Sequence, residues 1–268
     1  MKIINILFLV LLFVLYPLVF CNRLNLTDVN MINLPPSFSY ISGTDNLGRD
    51  FFLRCVQGTY LSFAVSIAGV LLAHVLGFVF GSLSVFSVMR LRNWLPRLID
   101  MLDTIPSYLV VCVMSIFWQQ FFKDLPVLLK SLLSVVLSVS LVSWMSVSRL
   151  VRMEILQILD KEYVLSSKLM GARSFDLMKD HFSKQVFQVL LISIVQHLPH
   201  FILIESFLSY LGIGLVPPYL SLGALISEGW KYAFIKPQFF LVPSLFLIII
   251  SIEFKLLLNS FTRKLKTL

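Results

Sequence analysis

Six long apolar runs limit what this chain can fold into, at residues 3–20, 60–88, 98–122, 125–147, 186–211 and 239–258. A helix needs about 20 mainly apolar residues to cross the hydrocarbon core of a bilayer. The chain is 58% hydrophobic and 13% charged, with a mean hydropathy of +0.89, whereas soluble proteins carry about 25% charged residues. The sequence therefore predicts an all-α integral membrane protein with six transmembrane helices. A disordered chain, a disulfide scaffold and a nucleic-acid-binding module are excluded.

The first run is either a signal peptide or an uncleaved transmembrane helix. Residues 3–20 follow a single basic residue, Lys2, as in a signal peptide. However, Phe20 stands where a signal peptidase requires a small residue, and the run exceeds the about 7–15 apolar residues of a signal core. For the same reason, Cys21 matches a lipoprotein box only loosely. We favour an uncleaved first helix at residues 1–21.

Basic residues indicate the orientation of the helices. If the amino terminus is inside, 14 of the 22 Lys and Arg residues lie in cytoplasmic stretches and 7 in external ones. This bias agrees with the positive-inside rule and predicts that both termini are cytoplasmic. It also explains the net charge of +8 without a nucleic-acid partner.

Small residues recur at helical spacing in two of the runs. They are Gly69, Gly77 and Gly81 in the second run and Ser131, Ser134 and Ser138 in the fourth. Small side chains let helix backbones approach closely in a membrane. We expect these positions to lie at helix–helix contacts.

The motifs of common enzyme classes are absent from the sequence. It contains no HExxH, no GxSxG and no P-loop, so we expect neither a catalytic site nor an ATPase site. The His and Cys residues are scattered, and we interpret His197 and His200 as a polar patch inside the bundle rather than a metal site. We predict no cofactor, and ATP-driven transport would need a partner subunit.

The internal loop at residues 149–185 is the longest cytoplasmic connection. Residues 162–170 favour a helix that ends at Gly171, a residue type that tolerates left-handed backbone angles. Ser166 and Ser167 give this helix a small-residue surface that fits into a groove. From the residues alone, a docking helix and a plain helix at the membrane surface remain equally open.

The segment E-Y-V-L-S-S-K-L-M-G-A at residues 162–172 resembles the "EAA" loop of binding-protein-dependent ABC import permeases. It is most similar to the dipeptide, oligopeptide and nickel branch, which reads E-Y-V-x-A-A-x-x-x-G-A followed by a His. The matching residues are Glu162, Tyr163, Val164, Gly171, Ala172 and His181. Ser166 and Ser167 replace two alanines, and Ser183-Lys184 replaces the usual Leu-Pro.

Three further segments resemble the same family. G-T-D-N-L-G-R-D at residues 43–50 is similar to a signature of the second-type permease subunit, D-T-I-P-S at 103–107 to the start of the third span, and residues 205–218 to the E-x-x-L-S-F-L-G-L-G-x-x-P-P segment. The motif residues are Gly43, Asp45, Gly48, Arg49, Asp50, Asp103 and Pro106. The resemblance covers about residues 40–263.

The resemblance implies the type I ABC importer permease fold in a bacterial inner membrane. It divides the chain into a first helix at residues 1–21, an external segment at 22–59, a permease core at 60–263 and a tail at 264–268. It implies two cytoplasmic ATPases, a second homologous permease and an external substrate-binding protein as partners. ATPase-coupling residues would be Glu162, Tyr163, Ser166, Ser167, Met170, Gly171 and Ala172. Peptides are the expected cargo, with nickel or antimicrobial peptides as alternatives.

Single polar residues allow competing interpretations. Glu205 lies within an apolar run and either lines the translocation pathway or makes a structural hydrogen bond, which we favour. For Asp100 and Asp103 we expect ion pairs with Arg97 and Arg92. Asp45, Arg49 and Asp50 are expected to cap the second helix or to contact a partner subunit, and His74 to be packed and hydrogen-bonded.

One rival interpretation belongs to another class of protein. A proton-coupled secondary transporter would use Glu205, Glu253 or His197 as proton carriers and would need no ATPase. The docking-type internal loop and the lack of a recognisable repeat count against it.

Overall fold

A computed structural model describes residues 29–87, 89–171, 183–217 and 219–265. The first apolar run, Ala172 and His181 lie outside the described residues. A 3-10 turn at Val29–Met31 precedes eight helices in the described part: α1 (Phe51–Phe86), α2 (Met89–Asp103), α3 (Ser107–Phe121), α4 (Val127–Leu159), α5 (Glu162–Leu169), α6 (Ser183–Tyr210), α7 (Leu222–Trp230) and α8 (Gln238–Leu265). The expected all-α class is confirmed.

Four of these helices, α1, α4, α6 and α8, are long and apolar enough to cross a membrane. The expectation of one continuous helix over residues 98–122 is wrong. That run is divided between α2 and α3, which meet at 92° and make at most a fifth span. The break lies at Pro106, the N-cap residue of α3, because proline disfavours helical geometry in the residue before it.

Other helix boundaries also differ from the apolar runs. α1 begins at Phe51 rather than near residue 60, and α4 continues to Leu159. The first part of the expected internal loop at residues 149–185 is therefore helical. α7 was not expected, and it lies in the loop between α6 and α8. Apolar runs mark the hydrophobic part of a helix, while caps and polar turns set its ends.

Glycines bring α1 and α4 into close contact, as expected. A Cβ atom at Gly77 would lie 2.5 Å from the Cβ of Val147, and one at Gly81 would lie 2.7 Å from the Cβ of Val151. The hydroxyl of Ser140 on α4 donates to the carbonyl of Gly69 at 3.0 Å. At these positions the valine side chains of α4 therefore pack directly against the backbone of α1.

Candidate functional site

The short helix α5 lies between the end of α4 and the start of α6. Val164 is 0% exposed and packs in a cluster with Ile158 at the end of α4 and Val186 at the start of α6. The side chain of Gln185 makes two hydrogen bonds here. Its Nε2 donates to the Tyr163 hydroxyl at 3.3 Å, and its Oε1 accepts from the Lys161 ammonium at 3.1 Å. α5 is thus attached to the ends of two membrane-spanning helices.

The other face of α5 is exposed and has small side chains. The hydroxyls of Ser166 and Ser167 donate to the carbonyls of Glu162 and Tyr163, both at 3.0 Å. Because these hydroxyls donate to the helix's own backbone, this face of α5 has only short side chains, and a protein that packs against it need not supply acceptors for the two hydroxyls. Met170, just past the helix, is 81% exposed, and Leu169 is 85% exposed.

Gly171 ends this segment with a φ of +88°. Apart from its chain neighbours, no atom of the residues that the structure describes lies within 4 Å of the position a Cβ would take there. The glycine is therefore required for its backbone conformation rather than for space.

At the opposite end of the bundle, Asp45 organises the 43–50 loop. Its Oδ1 accepts from the backbone amides of Leu47 at 2.8 Å and Arg49 at 2.9 Å. Its Oδ2 accepts from Arg49 Nε at 2.9 Å and from Arg54 Nη1 at 2.7 Å. One carboxylate therefore accepts from two loop amides and from one nitrogen of each of two guanidinium groups.

Two glycines and an aspartate complete the loop. Gly43 and Gly48 have φ values of +77° and +75°, and a Cβ at Gly43 would lie 2.5 Å from the carbonyl oxygen of Leu34. Asp50 is the N-cap of α1 and accepts from the amides of Phe52 and Leu53. Asp50 therefore caps α1, as expected.

Arg54 and Glu228 belong to this region but were missed in the sequence. Arg54, on the first turns of α1, lies 3.6 Å from Glu228 on α7. Arg54 is buried, and charged residues are rarely buried unless they are paired, as Arg54 is with Asp45 and Glu228. The position of Arg54 just after the acidic residues of the 43–50 motif could have indicated an ion pair with that motif. Nothing in the sequence indicated Glu228 as a partner.

Glu205 lies in α6 and is 1% exposed. Its carboxylate accepts from Ser209 at 2.8 Å and from Ser206 at 3.5 Å, and it faces Ser62 on α1. The hydroxyl of Ser62 accepts from the amide of Leu222 at the start of α7. This geometry favours the structural interpretation, in which Glu205 joins α6, α1 and α7.

Asp100 and Asp103 form ion pairs, but with a different partner from the expected one. Asp103 accepts from Arg149 on α4 at 2.7 Å, and Asp100 lies 3.6 Å from the same guanidinium. The expectation of pairing with Arg97 and Arg92 is wrong, because the bent α2–α3 pair brings this turn against α4.

His74 is packed and hydrogen-bonded, as expected. It bonds to the carbonyl of Val70 at 2.8 Å and to the hydroxyl of Ser193 on α6 at 3.1 Å. His197 bonds to the backbone carbonyl of Ser193 at 2.9 Å. The two histidines therefore belong to one polar contact between α1 and α6.

Comparison with known proteins matches the chain to one family and to transport permeases. The family described as "Binding-protein-dependent transport system inner membrane component" matches residues 69–267. The oligopeptide transport system permease protein OppC of Bacillus subtilis is 32% identical over 78% of this chain and 66% of its own length. The dipeptide transport system permease protein DppC of the same organism is 29% identical over 78% and 64%. The matched part of the chain thus spans just under two thirds of the length of these relatives.

Solved structures share the fold at low identity. A chain of the MetNI methionine ABC transporter in an inward-facing conformation has a TM-score of 0.63 at 15% identity, covering 79% of this chain and 95% of that one. A chain of an amino acid ABC transporter crystallised with histidines has a TM-score of 0.62 at 13% identity, covering 79% and 94%. At such identities the similarity concerns the fold alone.

Proposed function

The chain belongs to the family of binding-protein-dependent transport system inner membrane components, and from this premise we propose that it is a permease subunit of an ATP-driven peptide importer. Its apolar helices and its family make it a multi-pass inner membrane protein. The names of the relatives, which are oligopeptide and dipeptide permeases, support peptides as the cargo. Cytoplasmic ATPases, a second permease and an external binding protein are the proposed partners.

The observation that carries this proposal is the form of α5. An apolar, exposed end at Leu169 and Met170 is followed by an abrupt turn at Gly171. Exposed apolar side chains beside a small-residue helix face are typical of a surface that inserts into a partner's groove. We assign ATPase coupling to Glu162, Tyr163, Ser166, Ser167, Met170, Gly171 and Ala172.

The contacts of α5 supply a route for force. A displacement of α5 would act on α4 and α6 through buried Val164. α4 would carry the motion to α1, since the two helices touch at Gly77 and Gly81. In this mechanism, closure of the ATPase dimer moves α5, and the packed helices convert that motion into alternating access. The energy comes from ATP hydrolysis by the partner.

The test is a substitution on the exposed end of α5. Met170→Glu removes an apolar contact without disturbing any buried packing. Burying a Met side chain contributes about 1.5–3 kcal/mol, so we expect ATPase affinity to fall by about 10-fold or more and peptide uptake to stop. Met170→Leu is the matched control and should retain both. The readouts are co-purification of the ATPase and uptake in proteoliposomes.

Two outcomes would contradict the proposal. If Met170→Glu or a bulky charged residue at Ser167 leaves ATPase binding and uptake normal, α5 is not the coupling helix. If wild-type uptake persists without any ATPase, the protein is a secondary transporter. Correct membrane insertion of each variant, measured by protease accessibility, keeps a folding defect from imitating loss of coupling.

A further inference from the structure

A cleft of about 280 Å³ lies between the 43–50 loop and the end of α7, on the face expected to be external. Its charged lining residues are Asp45, Arg49, Arg54, Glu228 and Lys231. Three are cations and two are anions, so the cleft has a net positive charge. Nothing in the coupling mechanism uses this cleft.

The charged groups in the cleft differ in how closely they are paired. Asp45 is fully engaged by Arg49 and Arg54. Arg54 uses Nη1 for Asp45, while its Nη2 lies 3.6 Å from Glu228, beyond hydrogen-bond length. The side chain of Glu228 is about half exposed, so it is free to leave Arg54. The Nη2 arm of Arg54 is therefore held by a long ion pair with a half-exposed carboxylate, which another carboxylate can replace.

Lys231 adds a second donor on the rim of the cleft. It is exposed and has no ion pair within the described part of the chain. The turn that carries it also presents Phe234, which is 100% exposed, and Ile235. Aromatic side chains are enriched in protein–protein interfaces and the rim of such interfaces is polar, so this turn offers apolar contact area with a charge at its edge.

We propose that this cleft receives an Asp or Glu side chain of the external binding protein when that protein docks. The proposal rests on the permease function proposed above. A guanidinium and an ammonium together recognise a carboxylate strongly. Arg54 is already held by Asp45 and by burial, so binding requires little further ordering of its side chain. Glu228 then acts as the internal carboxylate that the incoming one displaces.

The test measures the affinity of the binding protein for the assembled transporter in nanodiscs of neutral phosphatidylcholine. Lys231→Glu should weaken binding about 10-fold at low salt, since an attractive exposed charge becomes a repulsive one, and should reduce the salt dependence. Glu228→Gln should leave binding equal or tighter, because the competing carboxylate loses its charge. Lys123→Glu, at an exposed site outside the cleft, is the matched control and should stay within about twofold of wild type.

Each other outcome overturns the inference in a recognisable way. Equal affinities for Lys231→Glu and Lys123→Glu refute the cleft while leaving the permease function intact. A Lys231→Glu effect that appears only in nanodiscs containing anionic phosphatidylglycerol assigns the cleft to a lipid headgroup. Competition by a free tripeptide, with unchanged affinity of Lys231→Glu for the binding protein, assigns it to cargo. Failure of the wild type to bind the protein refutes the permease proposal itself.

Discussion

Substitution of Gly77 by alanine tests whether α1 and α4 pack as closely as the structure indicates. The new methyl carbon would lie 2.5 Å from Cβ and Cγ1 of Val147, whereas carbon atoms prefer about 3.5–4.0 Å. The helices must separate by about 1 Å to relieve this overlap. Overpacking of this kind costs about 1–3 kcal/mol, and the higher helix propensity of alanine offsets about 0.8–1.0 kcal/mol. We expect a net loss of up to about 2 kcal/mol.

A double variant makes the test specific. Val147→Gly removes the atoms that the new methyl group would meet. In the double variant, α1 therefore carries a side chain at this contact and α4 carries none. A double-mutant cycle should then give a favourable coupling of about 1–2 kcal/mol, because each change relieves the defect of the other. Reversible unfolding in mixed micelles with increasing SDS provides the free energies.

Gly69→Ala on the same helix is the control for this cycle. Its Cβ would meet the ring of Phe201 at 3.0 Å and no atom of Val147. Val147→Gly should therefore not rescue it, and the two effects should add. If the effect of Gly77→Ala adds to that of Val147→Gly without coupling, the close contact between α1 and α4 is refuted.

Two further predictions concern buried carboxylates. Asp45→Asn should lower stability by about 3 kcal/mol, because it leaves the buried Arg54 with only the longer ion pair to Glu228; thermal unfolding measures this, and a loss below about 1 kcal/mol would contradict the role of Asp45. Glu205→Gln keeps hydrogen bonding with Ser209 and should retain stability and peptide uptake, whereas Glu205→Ala should lower stability by about 1–3 kcal/mol. Loss of uptake by a fully stable Glu205→Gln protein would instead place this side chain in the pathway.

Local features were predictable because short segments encode them. The helix expected at residues 162–170 occurs at Glu162–Leu169, and Asp50 caps α1. In each case the signal is a cap residue or a glycine next to a helical segment, which acts within about four residues of the chain. The break at Pro106 was readable in principle, but the continuous apolar run masked it.

Long-range pairings were not predictable in the same way. Asp103 was assigned to nearby arginines, yet it pairs with Arg149 on another helix. Glu228 has a place only because α7 brings it to Arg54. Apolar runs predict that helices cross the bilayer, but lipid is as apolar as most side chains, so they do not specify which helices touch.

The sequence alone determined that the protein is helical and lies in a membrane, since a backbone in hydrocarbon must satisfy its own hydrogen bonds within each apolar run. It also determined the local turn at Gly171. The tertiary structure decided that α1 lies against α4, that Glu205 of α6 meets Ser62 of α1 beside the start of α7, and that Arg54 faces a cleft. These contacts depend on shape and charge across distant segments, which come together only when the helices pack.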